Sequence, residues 1–258
     1  MQKITASEEL NKLLECFSEK VSSVLGDNLV GLYLTGSLSY GDFVLDRSDV
    51  DFQAVVNRQL SDLELNQIEG LHQDIEDSHP EWAGRIEGSY LPMGLVNEIP
   101  PPVTPRPWWG EGRFYPSVVY TNQWIINQYH LYNHGIPLLG PEYKTFAKPI
   151  AIEEVQKACA QDLFHEWEPK IKDIEWLSDP HYQSYFVLNL CRILHTIIQG
   201  EAASKRVSAE AIKKEYPEWK NVIEEAENWK VGMEMNRREE AVAFARFVIE
   251  KVKEKSLI

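Results

Sequence analysis

Apolar residues recur at helical spacing over residues 6–25, where Leu10, Leu13, Leu14, Phe17, Val21 and Val24 share one face and Gly26 stands where such a helix would stop. The period then changes. Residues 29–34 and 52–56 are short aliphatic runs between turn residues, which predicts two buried strands with a small polar hairpin between them. Helical spacing returns over residues 61–77, opened by the capping box Ser61-x-x-Glu64 and carried by Ile68, Leu71 and Ile75, and residues 85–91 give another strand. The repeated prolines of residues 99–116 argue against helix and interior strand. That stretch, with Trp108 and Trp109, reads as an ordered aromatic loop, either the wall of a site for an amphipathic ligand or a hydrophobic flap. Trp124, Ile125, Gln128 and Leu131 resume helical spacing, and residues 135–141 form a connector ending in a short extended segment.

From about Ile152 onward the patterns are helical only: residues 152–167, an interruption at Pro169, then 181–199, 208–215, 218–229 and 236–254. The last carries Ala241, Phe244, Ala245, Val248 and Val252 on one face, and together these segments predict a helical bundle. The chain thus reads as α+β, with sheet and helices in residues 1–150 and the bundle in residues 151–258. Internal repeats and low-complexity runs are not evident.

Composition narrows the partners. With 258 residues, 43% hydrophobic and 26% charged, the chain suits one large or two modest globular domains. No apolar run approaches the ~20 residues of a membrane span, and the first residues lack a signal-peptide core. Cys16, Cys159 and Cys191 are isolated in apolar helical contexts, as buried free thiols of a reducing, cytoplasmic compartment would be, and the seven histidines show no metal or triad spacing. The formal charge of -14, from 40 acidic against 26 basic residues, argues against nucleic acid as a partner and favours a small cationic substrate, unless the acidity serves solubility alone.

The chemistry concentrates in residues 31–56. Gly36-Ser37 follows directly on the first strand, where a residue without Cβ lets backbone amides approach a phosphate and a hydroxyl adds a donor. Asp49 and Asp51 stand at i and i+2 entering the second strand, so both carboxylates leave one face. Two carboxylates that close repel unless a cation lies between them, which suits a Mg²⁺ site holding a nucleoside triphosphate. The plainer reading is a polar turn entering a strand. Taken in order, Gly36-Ser37, Gly41-Asp42 and Ser48-Asp49-Val50-Asp51 resemble the nucleotidyltransferase superfamily that includes DNA polymerase β. That resemblance implies that Gly36, Ser37 and Ser48 belong to the nucleotide site and that Asp49 and Asp51 ligate metal. It also implies a mixed sheet flanked by helices, and a third carboxylate on a neighbouring strand that ligates metal or takes the proton of the attacking hydroxyl. Glu87 holds that place in the sequence, although a lone Glu in a strand is more often solvent-facing.

The helical half sharpens the resemblance. Residues 187–200 (VLNLCRILHTIIQG), the Ala203-Ser204-Lys205-Arg206 that follows, and Leu138-Leu139-Gly140-Pro141 resemble the streptomycin and spectinomycin adenylyltransferases. The likeness implies that Arg192 and Lys205 contact ATP phosphates. Without it, Arg192 is a charge in an apolar helix that needs a partner, either a phosphate or a carboxylate of the first domain. It further implies an acceptor pocket drawing on the loop before the arginine helix, where Trp176, Asp179 and Tyr182 could meet a cationic sugar, with Tyr182 standing where the family has a carboxylate. The expectation is a cytoplasmic, monomeric Mg²⁺-dependent O-adenylyltransferase. It would modify a hydroxyl of a small cationic acceptor such as an aminoglycoside or aminocyclitol, release pyrophosphate and confer antibiotic resistance, with the bundle closing the cleft over ATP and substrate. The competing expectations are a nucleotidyltransferase that modifies a protein or a non-antibiotic metabolite, and a non-catalytic nucleotide-binding relative.

Overall fold

A computed structural model describes residues 3–255 and divides into two compact units. The first comprises residues 1–43, 48–120 and 130–149, and the second residues 44–47, 121–129 and 150–258.

The first unit is built on a six-stranded mixed sheet of order β5-β4-β3-β2-β1-β6. Its strands are β1 (Leu29–Leu34), β2 (Val50–Val56), β3 (Ile86–Pro92), β4 (Arg106–Gly110), β5 (Arg113–Val118) and β6 (Ile136–Leu139). Strand β2 runs antiparallel to β1 and parallel to β3, because helix α3 (Asp62–Ser78) carries the chain back between them. The other pairs, β1 with β6, β3 with β4 and β4 with β5, are antiparallel. Helix α3 starts on the expected capping box: the Ser61 hydroxyl accepts from Glu64 N, and Glu64 Oε2 accepts from Ser61 N at 2.8 Å. Alternation along β2 decides which face is dry. Val50, Phe52, Ala54 and Val56 enter a core shared with Leu10, Leu13, Leu14 and Phe17 of α1 (Glu8–Leu25) and with Ile68, Leu71 and Ile75 of α3. Asp51 and Gln53 leave the opposite, polar face.

Two stretches differ from their sequence-based reading. Residues 36–40 form a short helix, α2 (Gly36–Tyr40), in place of one arm of a hairpin; Gly36 turns the chain at φ 60° and Gly41 ends the helix in the left-handed region at φ 74°. Residues 106–118 are a β-hairpin, not a loop, and its strand β4 is interior. Pro107 is tolerated because it falls where the ladder is interrupted: pairing with β3 covers only Trp108 and Trp109, and the register to β5 shifts between Arg106 and Trp108. Pro116 lies on the edge strand, where a missing N–H costs little. The connector segment at residues 136–139 joins the sheet as β6.

The second unit is helical. Helix α4 (Gln123–His134) contributes its first half, followed by α5 (Ile152–Asp162), a π-helical turn at Leu163–Trp167, α6 (Glu168–Lys170), α7 (Pro180–Gln199), α8 (Lys205–Glu215), α9 (Lys220–Asn228) and α10 (Arg238–Glu254). The most buried of these is α7, which packs against α5, α8, α9 and α10. Among the described residues no helix is long and apolar enough to cross a membrane.

Candidate active site

The parallel pairing of β2 and β3 sets Asp51 directly opposite Glu87. Direct partners in a sheet share a face and lie about 5 Å apart, so both carboxylates stand on the polar side. Asp49, two residues before Asp51, lies at the mouth of the same strand. The chain between β1 and β2 closes tightly over them: Thr35 N donates to Asp51 O at 3.0 Å, and a Cβ on Gly36 would fall inside the Asp51 carboxylate. Gly36 is therefore required twice, for its positive φ and for this close approach. Ser37 is the second residue of α2, and the loop that carries Ser48 is tied to β3 by Arg85, whose Nη2 donates to Ser48 O at 2.6 Å while its guanidinium lies over Trp82.

Electrostatics mark Glu87 among these groups. Burial, and then the negative charges of Asp49, Asp51 and Glu111, push its carboxyl up to about 7, against a smaller opposing pull from the Glu111 backbone amide. The strained neighbour was not visible beforehand. Glu111 is the tip of the β4–β5 hairpin and, among the described residues, the one non-glycine at positive φ (54°). Its flanking Gly110 and Gly112 were the available signal for a two-residue turn.

The hairpin also separates the two tryptophans. Trp108 pairs with Ser89 and with Tyr115, so it shares the face of Glu87, and its ring lies 5.2 Å from that of Tyr115. Trp109 points the other way. It is 1% exposed, stacks on His72 at 4.5 Å and donates from Nε1 to Glu76 at 3.2 Å, so it is a core residue. Tyr115 joins Trp108 as an aromatic group on the carboxylate face.

In the second unit, Arg192 is half-buried on α7, where Nη2 donates to Asn189 Oδ1 at 3.2 Å. Among the described residues it makes no ion pair, although Asp162, 1% exposed and bonded to Gln123 and Trp167, acts on it through space. Lys205 opens α8, with its ammonium 4.3 Å from the centre of the Tyr185 ring. The loop before α7 is committed locally. Asp179 caps α7 by accepting from His181 N at 2.9 Å, Trp176 donates to Lys170 O at 3.1 Å, and the Tyr182 ring lies 6.2 Å from Trp176. Tyr182 is 41% exposed.

The candidate ligands Asp49, Asp51 and Glu87 offer oxygens, which suits a hard divalent cation. Among the described residues no three or more His, Cys, Asp and Glu side chains close into a metal cage.

The mixed sheet of the first unit and the helices of the second make an α+β fold. Residues 148–253 match the family model for the C-terminal domain of aminoglycoside adenylyltransferases. The fold is similar to that of spectinomycin adenyltransferase AAD(9) from Enterococcus faecialis, whose crystal structure contains ATP and spectinomycin. The TM-score is 0.74 at 17% identity, over 94% of this chain and 99% of that one. Against curated proteins the sequence has no match. The family match thus covers the C-terminal 148–253 segment, and the likeness to AAD(9) is one of fold over the whole chain.

Proposed function

We propose that this protein transfers the adenylyl group of ATP to a hydroxyl of a small cationic acceptor of the aminoglycoside or aminocyclitol kind. The observation that carries the proposal is the β2–β3 register, which puts Glu87 beside Asp51 on the polar face. Asp49 and Asp51 would hold Mg²⁺, which when bound neutralises triphosphate charge. Ser37 donates to the triphosphate, admitted by the absence of a Cβ at Gly36. In the second unit, Arg192, a half-buried guanidinium with no ion pair among the described residues, and Lys205 are the cations suited to a phosphate. Glu87 accepts the proton of the acceptor hydroxyl as its oxygen forms the bond to the α-phosphorus; the bond from that phosphorus to the bridging oxygen breaks and pyrophosphate leaves. A carboxylate poised near neutrality is suited to this task. Trp108 and Tyr115 offer ring faces for a sugar, and the surrounding acidic groups favour a cation.

The test is pyrophosphate release with Mg²⁺ and ATP across a panel of aminoglycosides, aminocyclitols, neutral sugars and proteins. Release with cationic sugars and loss of their antibiotic action bear the proposal out. Release with protein acceptors alone transfers the reading to protein modification, and ATP binding without release leaves a nucleotide-binding protein.

A further inference from the structure

The carboxylate of Glu76 has no place in the chemistry above, yet it lies 8% exposed beneath the hairpin. Its Oε1 accepts from two elements at once: Gly84 N at 3.1 Å, on the turn that enters β3, and Trp109 Nε1 at 3.2 Å, on β4. Its Oε2 lies 3.2 Å from where a Cβ on Gly112 would stand, so the hairpin turn closes directly over the carboxylate. The Trp109 ring is stacked on His72, one turn before Glu76 on α3, and His72 Nε2 lies 2.9 Å from Tyr90 Oη on β3. One helix thereby ties the start of β3, the middle of β3 and the inner strand of the hairpin. Along the chain two of these contacts bracket Glu87, which leaves β3 on the opposite face between Gly84 and Tyr90 and meets Glu111 at the hairpin tip.

We propose that Glu76 is a positioning residue for Glu87, fixing β3 and the β4–β5 hairpin together so that Glu111 at the tip stays against the Glu87 carboxylate. The hairpin owes its shape to this anchor as well as to its own pairing. Two residues at positive φ, Glu111 at 54° and Gly112 at 67°, are held in a two-residue turn, and only the second is a glycine. A non-glycine residue in that region persists where its surroundings hold it there, and Glu76 supplies the hold from the side opposite Glu87. The proposal rests on the adenylyl-transfer reading for its kinetic arm and on the fold alone for its structural arm.

The experiment compares Glu76→Ala, Glu76→Gln and Gly112→Ala with the unaltered protein, by steady-state kinetics and by backbone hydrogen exchange without nucleotide. Gln keeps a carbonyl oxygen for both donors and is expected to stay within about threefold of the original kcat. Ala is expected to lower kcat by about tenfold to a hundredfold with KM for ATP unchanged within twofold. It should also speed exchange in residues 84–92 and 106–118 while leaving β1 and α1 protected. Gly112→Ala, whose new methyl presses on Oε2, should reproduce the kcat loss and the hairpin exchange even if Glu76→Ala does not fold. Exchange unchanged in both segments, or a kcat for Glu76→Ala within twofold of the original, overturns the assignment, as does a loss carried by KM for ATP instead of kcat. If the unaltered protein transfers nucleotide to no acceptor, the adenylyl-transfer reading falls, and the exchange arm alone decides the anchor.

Discussion

Glu87→Gln should make the nucleotide-free protein more stable at alkaline pH. In the fold the Glu87 carboxyl is raised from 4.5 to about 7 by burial and by Asp49, Asp51 and Glu111. The folded state therefore binds more protons than the unfolded one between these two values, and stability falls as pH rises through that window. Below about 4.5 both states hold the proton and the group is neutral in its effect. Above about 7 both have lost it and the full penalty stands. A difference of about 2.5 in the two values, at ~1.4 kcal/mol for each, is about 3 kcal/mol. Gln is close to the protonated side chain in shape and carries no charge, so it should remove the penalty. The assay is thermal unfolding in EDTA from pH 4.5 to 8.5. The two melting temperatures should converge at the acid end and separate by roughly 5–10 °C at pH 8, the variant being higher. Mg²⁺ and ATP should narrow the gap, since a cation beside Glu87 favours its charged form. Equal melting temperatures across the range, or a less stable variant at pH 8, would show that burial and the neighbouring carboxylates do not penalise the charged form of Glu87 and would refute the reasoning.

Asp51→Asn should abolish transfer and raise apo stability, because it removes one of the charges acting on Glu87 while leaving the β2–β3 pairing intact; activity near the original in a pyrophosphate assay would end the metal-site proposal. Gly36→Ala should abolish triphosphate binding and lower the melting temperature by several degrees, since the new methyl meets the Asp51 carboxylate at a backbone φ of 60°; a soluble variant with unchanged ATP affinity by calorimetry would contradict this. Arg192→Ala should weaken ATP binding by about 1.5–3 kcal/mol, as for a lost charge-assisted hydrogen bond, and change the melting temperature little, because among the described residues no ion pair is broken. A large drop in melting temperature with unchanged ATP affinity would mark Arg192 as structural.

The residues of the carboxylate face were legible in the sequence because each sits at a strand end or on an alternating strand, where local pattern fixes both element and face. Asp51 and Glu87 needed one inference beyond that, the helical return between their strands, and Ser61-x-x-Glu64 announced it. The hairpin was not legible for a physical reason. Prolines exclude a residue from strand interiors only through the ladder bond they cannot make, and Pro107 falls at a register shift where that bond is absent. Once residues 106–110 are a strand, period-two alternation forces Trp108 and Trp109 to opposite faces, and the pair can no longer act as one aromatic wall. The consequence reaches the chemistry. Trp109 buried on His72 brings its indole N–H to Glu76, Trp108 stays beside Ser89 on the face of Glu87, and Glu111 arrives at Glu87 only because the hairpin is closed by two residues at positive φ. A single misjudged element thus hid three roles at once: the core anchor, the aromatic surface and the fourth carboxylate. Apart from the Gly110 and Gly112 that flank Glu111, none of the three carries a local sequence signal of its own, because each is assigned by pairing across strands.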